Sequence, residues 1–180
     1  MRRFACPLLV WICIVLAGCA DEPPPAPVPV SATNTALGIQ LAAVPADFVV
    51  SVNDGNQLEL VPTSSEVEGR LWFSVGPEER GVNVVAGMKE HERSIKSKPE
   101  AAYKGAQELM THLGAAFYSR GQYLGGATVM EETAVFAGHP SQTRLLSITY
   151  RYPAGVDSSV RVQQLLDVLG EVEAISGANS

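Results

Sequence analysis

One stretch of the sequence begins like the zinc-binding motif of metalloproteases, His91-Glu92-Arg93-Ser94-Ile95. Such a site needs two imidazoles four residues apart on one helical face, and Ile95 stands where the second must be. The other two histidines, His112 and His139, have no ligand spacing to His91 or to each other. The sequence therefore predicts no metal site and no cofactor.

Other catalytic patterns are also missing from the sequence. No serine has a Gly-x-Ser-x-Gly setting. The glycine-rich segment 121–126 is followed by neither the lysine nor the helix start of a phosphate-binding loop, so it indicates a bend or bulge between strands. Glu131 and Glu132 should point to opposite faces of a strand, which does not suit acid–base catalysis by a carboxylate pair. We therefore expect no catalytic residue and no enzyme activity.

Aromatic and arginine side chains could form a binding surface instead. Trp72 lies on the polar side of its strand, beside Arg70 and Ser74. The plainer interpretation is that a helix or the linker that precedes the domain covers this ring. The alternative is that the ring docks a partner protein. The candidate binding residues are Trp72, Tyr103, Tyr118, Arg120 and Tyr123. The last four could alternatively line a cleft for a small anion or sugar, in a ligand-binding or enzymatic domain.

The first residues have the layout of a secretory signal peptide. Arg2 and Arg3 precede an apolar stretch from Phe4 to Leu16, and small residues follow. At about 1.5 Å per residue this stretch is too short for the ~30 Å hydrocarbon core, so a transmembrane anchor is the weaker interpretation. The segment ends in Leu16-Ala17-Gly18-Cys19, which resembles the lipobox of bacterial lipoproteins at all four positions.

The lipobox resemblance implies that Cys19 is lipidated on sulfur, becomes the N-terminus after cleavage and is then acylated, for example with palmitate. An ordinary signal peptide with a chance cysteine is the alternative. Cys6 and Cys13 lie in the segment that would be removed, which leaves no cysteine for a disulfide or a catalytic thiol. Ala20 follows Cys19 and displaces Asp21 by one position from an inner-membrane retention signal. We therefore expect the outer membrane, facing the periplasm, rather than the inner membrane.

Composition and proline content predict the domain organisation. The chain has 180 residues and a formal net charge of −6, which suits one globular domain and argues against nucleic-acid binding. The proline-rich segment from Asp21 to Val30 is typical of a polyproline spacer, although it could also be a ligand for another domain. We therefore predict a signal peptide at residues 1–18, a lipidated cysteine and tether at 19–35, and a single domain at 36–180.

Hydrophobic periodicity predicts the elements of this domain. Alternation of apolar and polar residues predicts strands at 48–53, 58–60, 71–75, 82–86, 117–123, 128–136 and 143–152. A capping box at Ser97 followed by helical spacing predicts a first helix to Leu113, preceded by a charged loop or polar docking rim at 89–98. A final helix at 158–176 has the apolar stripe Val162, Leu165, Leu166, Leu169 and Val172. This order predicts an α+β domain in which two helices pack on a mostly antiparallel sheet.

The element order from Ile39 to Ile175 resembles the PsbP-like fold, an α/β/α sandwich. Two local patterns carry the resemblance, the strand and turn from Glu132 to Pro140 and the amphipathic C-terminal helix. The chain departs from the family where one long strand leads straight into the last helix, which leaves the strand register open. The resemblance implies a domain that binds other proteins and is not an enzyme. We therefore expect a lipid-anchored cell-envelope protein whose domain binds or positions a partner protein.

Overall fold

Strands dominate the part of the chain that the structure describes, which is residues 29–65, 68–78, 81–155 and 157–175 of a computed structural model. The predicted signal peptide, Cys19 and most of the tether lie outside these residues. The elements, in chain order, are β1 (Ala32–Asn34), β2 (Ile39–Leu41), β3 (Phe48–Asp54), β4 (Gln57–Pro62), β5 (Arg70–Glu78), α1 (Val84–Lys96), β6 (Ala102–Thr111), β7 (Gly114–Gly125), β8 (Thr128–Gly138), β9 (Arg144–Pro153), α2 (Ser158–Gly170) and β10 (Val172–Ala174).

Seven strands form one antiparallel sheet in the order β3-β4-β5-β9-β8-β7-β6. Neighbours in this sheet are consecutive in sequence except for β5 and β9, because the chain leaves the middle of the sheet after β5. To reach β6 at the far edge it crosses the intervening strands, and α1 makes this crossing on one face of the sheet. The short strands form a second sheet in the order β1-β2-β10.

The hydrophobic core lies between the other face of the large sheet, helix α2 and the small sheet. Every second residue of a strand points to this core, as Leu60 of β4 and Ile148 of β9 do, and both are fully buried. Helix α2 contributes the buried side chains Leu165, Val168 and Leu169. Leu165 and Leu169 of the predicted apolar stripe therefore pack on the sheet as their spacing predicts, and Val168, which the prediction does not include, joins them.

Helix α1 packs closely on the opposite face because two glycines leave room for it. A Cβ atom on Gly121 of β7 would lie 2.4 Å from Cγ2 of Ile95, and one on Gly87 of α1 would lie 2.6 Å from Cδ2 of Leu145. The buried positions of the helix are Gly87, His91 and Ile95, which share one face. Only one of these three helix positions, Ile95, therefore brings a hydrophobic side chain to the contact with the sheet.

The predicted α+β class is confirmed, but the first helix is misplaced by the sequence pattern. Residues 102–111 form the edge strand β6, and the helix lies earlier, where a strand at 82–86 and a charged loop are predicted. The charged residues line the exposed side of α1, where Arg93–Glu90 and Lys96–Glu92 pairs each span one turn. The predicted capping box does not begin a helix, because Ser97 is the C-cap of α1.

The ends of the domain also differ from the predicted boundaries. Strand β1 pairs with β2, so the folded part begins before Ala36, the first residue of the predicted domain. Helix α2 ends at Gly170 rather than at residue 176, because the chain then forms β10 and pairs with β2. Val172 is buried as part of β10 and not as part of the helix. Leu166 is only partly buried at the margin of the core.

Candidate functional site

Five residues on the α1 side of the large sheet form a row across five neighbouring strands. In register order they are Arg70, Arg151, Glu132, Gly121 and Tyr103. Directly opposite residues of antiparallel strands point to the same face of a sheet. Helix α1 packs on β6, β7 and β8 and reaches β9. It covers the Gly121 end of the row, whereas the side chains of Arg70 and Arg151 remain 65% and 42% exposed.

The buried carboxylate of Glu132 lies where the covered part of the row meets the open part. Its Oε2 accepts hydrogen bonds from Nε of Arg151 at 2.9 Å, from Nζ of Lys98 at 3.1 Å and from the hydroxyl of Tyr123 at 3.1 Å. Nη2 of Arg151 lies 2.8 Å from the same oxygen. Oε1 lies 3.3 Å from Nε2 of His91. One carboxylate therefore holds two cations at the edge of the helix.

The charge state of this cluster follows from its contacts. Burial by itself would raise the pKa of Glu132, but contacts with His91, Lys98 and Arg151 outweigh it and hold the pKa well below its ordinary value. Burial and the adjacent Glu132 raise the pKa of Tyr123 to about 12. At neutral pH the carboxylate is therefore charged and the phenol is neutral. A carboxylate with a depressed pKa is a weak base, so Glu132 suits fixing cations rather than transferring protons.

Ser119, His91 and the carboxylate of Glu132 line up at the contact between α1 and the sheet. Nδ1 of His91 lies 2.9 Å from Oγ of Ser119, and this oxygen lies 3.0 Å from the hydroxyl of Tyr103. These three residue types also form the catalytic triad of hydrolases, but Ser119 is fully buried here and its oxygen is not open to solvent. Nε2 of His91 has no aligned hydrogen-bond partner among the described residues. We interpret the group as a polar contact that fixes α1 on the sheet.

Trp72 lies on the same face, one row from the two arginines and opposite Glu59 of β4. Its ring is partly buried, and the guanidinium carbon of Arg151 lies 5.0 Å from the ring centre, within the range of a cation–π contact. A shallow cavity of about 200 Å³ opens here between Glu59, Arg70, Trp72 and Arg151. The guanidinium group of Arg151, rather than a helix, lies over this ring. Most of the tether, the other segment expected to cover the ring, is outside the described residues. We call the surface formed by Glu59, Arg70, Trp72, Ser74 and Arg151 the open face.

The four residues that could line a cleft for a small ligand lie on both faces of the sheet. Tyr103 and Tyr123 point to the α1 side, whereas Tyr118 and Arg120 point to the core side, because side chains alternate along a strand. Tyr118 packs against the core, where burial raises its pKa. Arg120 donates a hydrogen bond to Ser158 at the start of α2, at 2.9 Å. The structure therefore does not bring these four residues into one cleft.

Glu131 and Glu132 point to opposite faces, as the strand pattern predicts, and both are buried. On the core side Glu131 accepts hydrogen bonds from the hydroxyl of Tyr152 at 2.9 Å and from Nε2 of Gln122 at 2.8 Å. Burial raises the pKa of Tyr152 well above its ordinary value. Each carboxylate thus has its own set of polar partners, as a buried charge requires.

The cluster around Glu132 is the feature that the sequence pattern does not reveal. The two adjacent carboxylates of β8 are a sequence signal for this cluster. Their side chains point to opposite faces of a central strand, so at least one of them must lie on a covered face. A buried carboxylate needs cationic or hydrogen-bonding partners. Its partners come from two distant segments, His91 and Lys98 from α1 and the residues just after it and Arg151 from β9, so only the folded chain identifies them.

The described residues contain neither a metal-ligand group nor a membrane-spanning helix. Within them, no group of three or more His, Cys, Asp or Glu side chains could hold a metal ion. In the same part of the chain, no helix has both the length and the apolar character needed to cross a membrane. Cys19 lies outside this part.

Known proteins resemble this chain in structure but not detectably in sequence. No family model matches it, and neither does any curated protein. The Ran-binding protein Mog1p of Saccharomyces cerevisiae matches with a TM-score of 0.57 at 8% identity, over 82% of this chain and 96% of Mog1p. LpqN of Mycobacterium tuberculosis, involved in cell envelope biogenesis, matches with a TM-score of 0.52 at 13% identity over 86% of each chain.

A third similar structure is the cyanobacterial PsbP of Synechocystis, with a TM-score of 0.50 at 13% identity over 81% of this chain and 91% of PsbP. The domain has a PsbP-like α+β fold. The fold implied by the sequence resemblance is therefore confirmed. Likeness at such low identity concerns the fold alone, because one fold supports many functions.

Proposed function

We propose that this protein is a lipid-anchored protein of the cell envelope whose folded domain binds or positions a partner protein. The lipid on Cys19 supplies the membrane contact, from the periplasmic side of the outer membrane, and the proline-rich tether separates the domain from the bilayer. The observation that carries the binding role is the open face, where Trp72 and Arg151 form a cation–π contact and stay partly exposed.

The chemistry of the open face supports protein binding. Tryptophan and arginine are the residues most enriched among those that dominate the energy of protein interfaces. Arg151 is held by two contacts to the buried carboxylate of Glu132 and rests against the ring of Trp72. Because both side chains are already ordered, binding costs less conformational entropy than it would for mobile ones.

The fold neighbours are compatible with this role. Mog1p is a Ran-binding protein, and LpqN is involved in cell envelope biogenesis. We also propose that the domain is not an enzyme. The complete burial of Ser119 supports this, as does the separation of Tyr118 and Arg120 from Tyr103 and Tyr123.

Photo-crosslinking in intact cells tests the proposal. A photoreactive amino acid replaces Ser74, which is exposed on the open face, or Gln163, which is exposed on α2 as a matched control. We expect one protein to be captured from Ser74, to be absent from Gln163, and to be lost when Trp72→Ala is added. Capture of the same protein from both positions, or no capture from Ser74, contradicts partner binding at the open face.

A further inference from the structure

We propose that the open face binds a segment of the partner that presents carboxylate side chains, and that Arg70 and Arg151 receive them. The inference rests on the proposed partner-binding function and adds the chemistry of what the surface recognises. Its first support is the strand register, which places Arg70 of β5 directly opposite Arg151 of β9. Like charges in directly opposite positions destabilise a sheet, and an anion between them relieves the repulsion.

The carboxylates already present do not saturate these cations. Arg151 uses Nε and Nη2 on Glu132, and in the described residues Arg70 contacts one carboxylate, that of Glu59, through Nε at 3.3 Å. A guanidinium has five N–H donors. Both arginines therefore keep donors directed away from their present partners, in the fork geometry that pairs with a carboxylate through two hydrogen bonds.

The local charge has the opposite sign to that of the whole chain. Arg70, Arg151 and Lys98 face two carboxylates here, those of Glu59 and Glu132. The chain as a whole carries a formal net charge of −6. The negative charge of the whole chain repels an extended polyanion such as an anionic membrane surface. A short acidic segment interacts only with the local cations, because salt screens charges beyond about 10 Å.

The size of the cavity also favours a side chain over a small molecule. Its volume is about 200 Å³, below the ~300–1,000 Å³ of usual small-molecule sites. Trp72 and both arginines are among the residues that line it. An aspartate or glutamate side chain can place its methylene groups on the ring and its carboxylate between the guanidinium groups.

Binding of synthetic peptides to the full-length protein in non-ionic detergent tests the inference. The probe is a short fluorescein-labelled peptide of alternating Glu and Gly, and fluorescence anisotropy reports binding. We expect saturable binding that weakens about tenfold or more in Arg70→Gln, because a charge-assisted hydrogen bond contributes ~1.5–3 kcal/mol. The matched control is Arg93→Gln on the exposed side of α1, which should bind as tightly as the wild type.

Three outcomes overturn the inference: no binding of the Glu peptide, equal binding of a Gln-Gly peptide, or equal affinity in Arg70→Gln. Stronger binding to phosphatidylglycerol vesicles or to inorganic phosphate than to the Glu peptide also overturns it. The crosslink at Ser74 separates this failure from failure of the proposed function. If Arg70→Glu leaves the Ser74 crosslink intact, a partner binds at the open face but does not present an acidic segment to it. If the crosslink is absent in the wild type, the proposed binding function itself is wrong.

Discussion

Replacing Glu132 with glutamine removes the charge that organises the two cations beside it while nearly preserving the size of the side chain. Lys98 and Arg151 then face a neutral amide in place of their shared carboxylate. Removing one partner of a buried ion pair costs about 3–5 kcal/mol. Because the side chains of Lys98 and Arg151 are 22% and 42% exposed, water still solvates them. We therefore expect the lower end of that range, a loss of about 3 kcal/mol in the free energy of unfolding at neutral pH.

The pH dependence of this loss distinguishes an ion pair from simple packing. Contacts in the folded state hold the pKa of Glu132 below its ordinary value, which is about 4.3 in an unfolded chain. The stabilisation from its charge is therefore fully present above that unfolded pKa and is lost as the pH falls toward the folded pKa. Urea unfolding of wild type and Glu132→Gln at about pH 7 and about pH 3 should show a difference that narrows at the acidic value.

The exposed ion pair of α1 provides the control for this experiment. Glu90→Gln breaks the pair between Arg93 and Glu90, whose side chains are 73% and 67% exposed, and should change stability by less than about 0.5 kcal/mol. The reasoning is refuted if Glu132→Gln is as mild as this control, or if its cost is the same at both pH values. Either result would mean that the carboxylate is not ionised in the folded protein or that it does not hold the two cations.

The remaining predictions concern packing and anchoring. Gly121→Ala puts a methyl group 2.4 Å from a side-chain atom of α1 and should cost about 1–3 kcal/mol in urea unfolding, whereas Gly170→Ala meets nothing within 4 Å and should not destabilise. Leu165→Ala, on the buried side of α2, should lower the free energy of unfolding by about 2–5 kcal/mol. Gln163→Ala, on the exposed side of the same helix, should lower it by less than about 0.5 kcal/mol. Equal effects would disprove that α2 packs on the sheet through the side that bears Leu165. Cys19→Ala should abolish incorporation of a labelled fatty acid in cells, and retained label would disprove the lipobox interpretation.

The strands with one covered face were predictable, because apolar and polar residues alternate in the sequence as buried and exposed side chains alternate along the strand. On β9 the residues Leu146, Ile148 and Tyr150 are all fully buried on the core side, as their period of two predicts. The last helix was predictable for a similar reason, since Leu165 and Leu169 repeat at the helical period and meet the sheet. Its end was not, because pairing of β10 with β2 is a long-range contact.

Helix α1 and strand β6 were assigned wrongly because neither carries its periodicity in hydrophobic residues. The buried stripe of α1 consists of Gly87, His91 and Ile95, and a glycine or histidine does not register as apolar. The glycines of this contact matter because α1 can approach the sheet closely only where no side chain stands between them. Strand β6 is at the edge of the sheet and mostly exposed, so a helical spacing of apolar residues could occur in it by chance.

The sequence by itself determined the local features of this protein: the resemblance to a lipobox at Cys19, the α+β class, the strands β8 and β9, and the opposite directions of Glu131 and Glu132. Only the tertiary structure decided which cations Glu132 meets, because Lys98 follows α1 and Arg151 lies on β9, a neighbour of β8 in the sheet. The crossing of α1 brings these segments together and leaves Arg70 and Arg151 at the open end of the row, with Trp72 one row away. A buried charge must find its partners in space, and its neighbours along the chain do not reveal them.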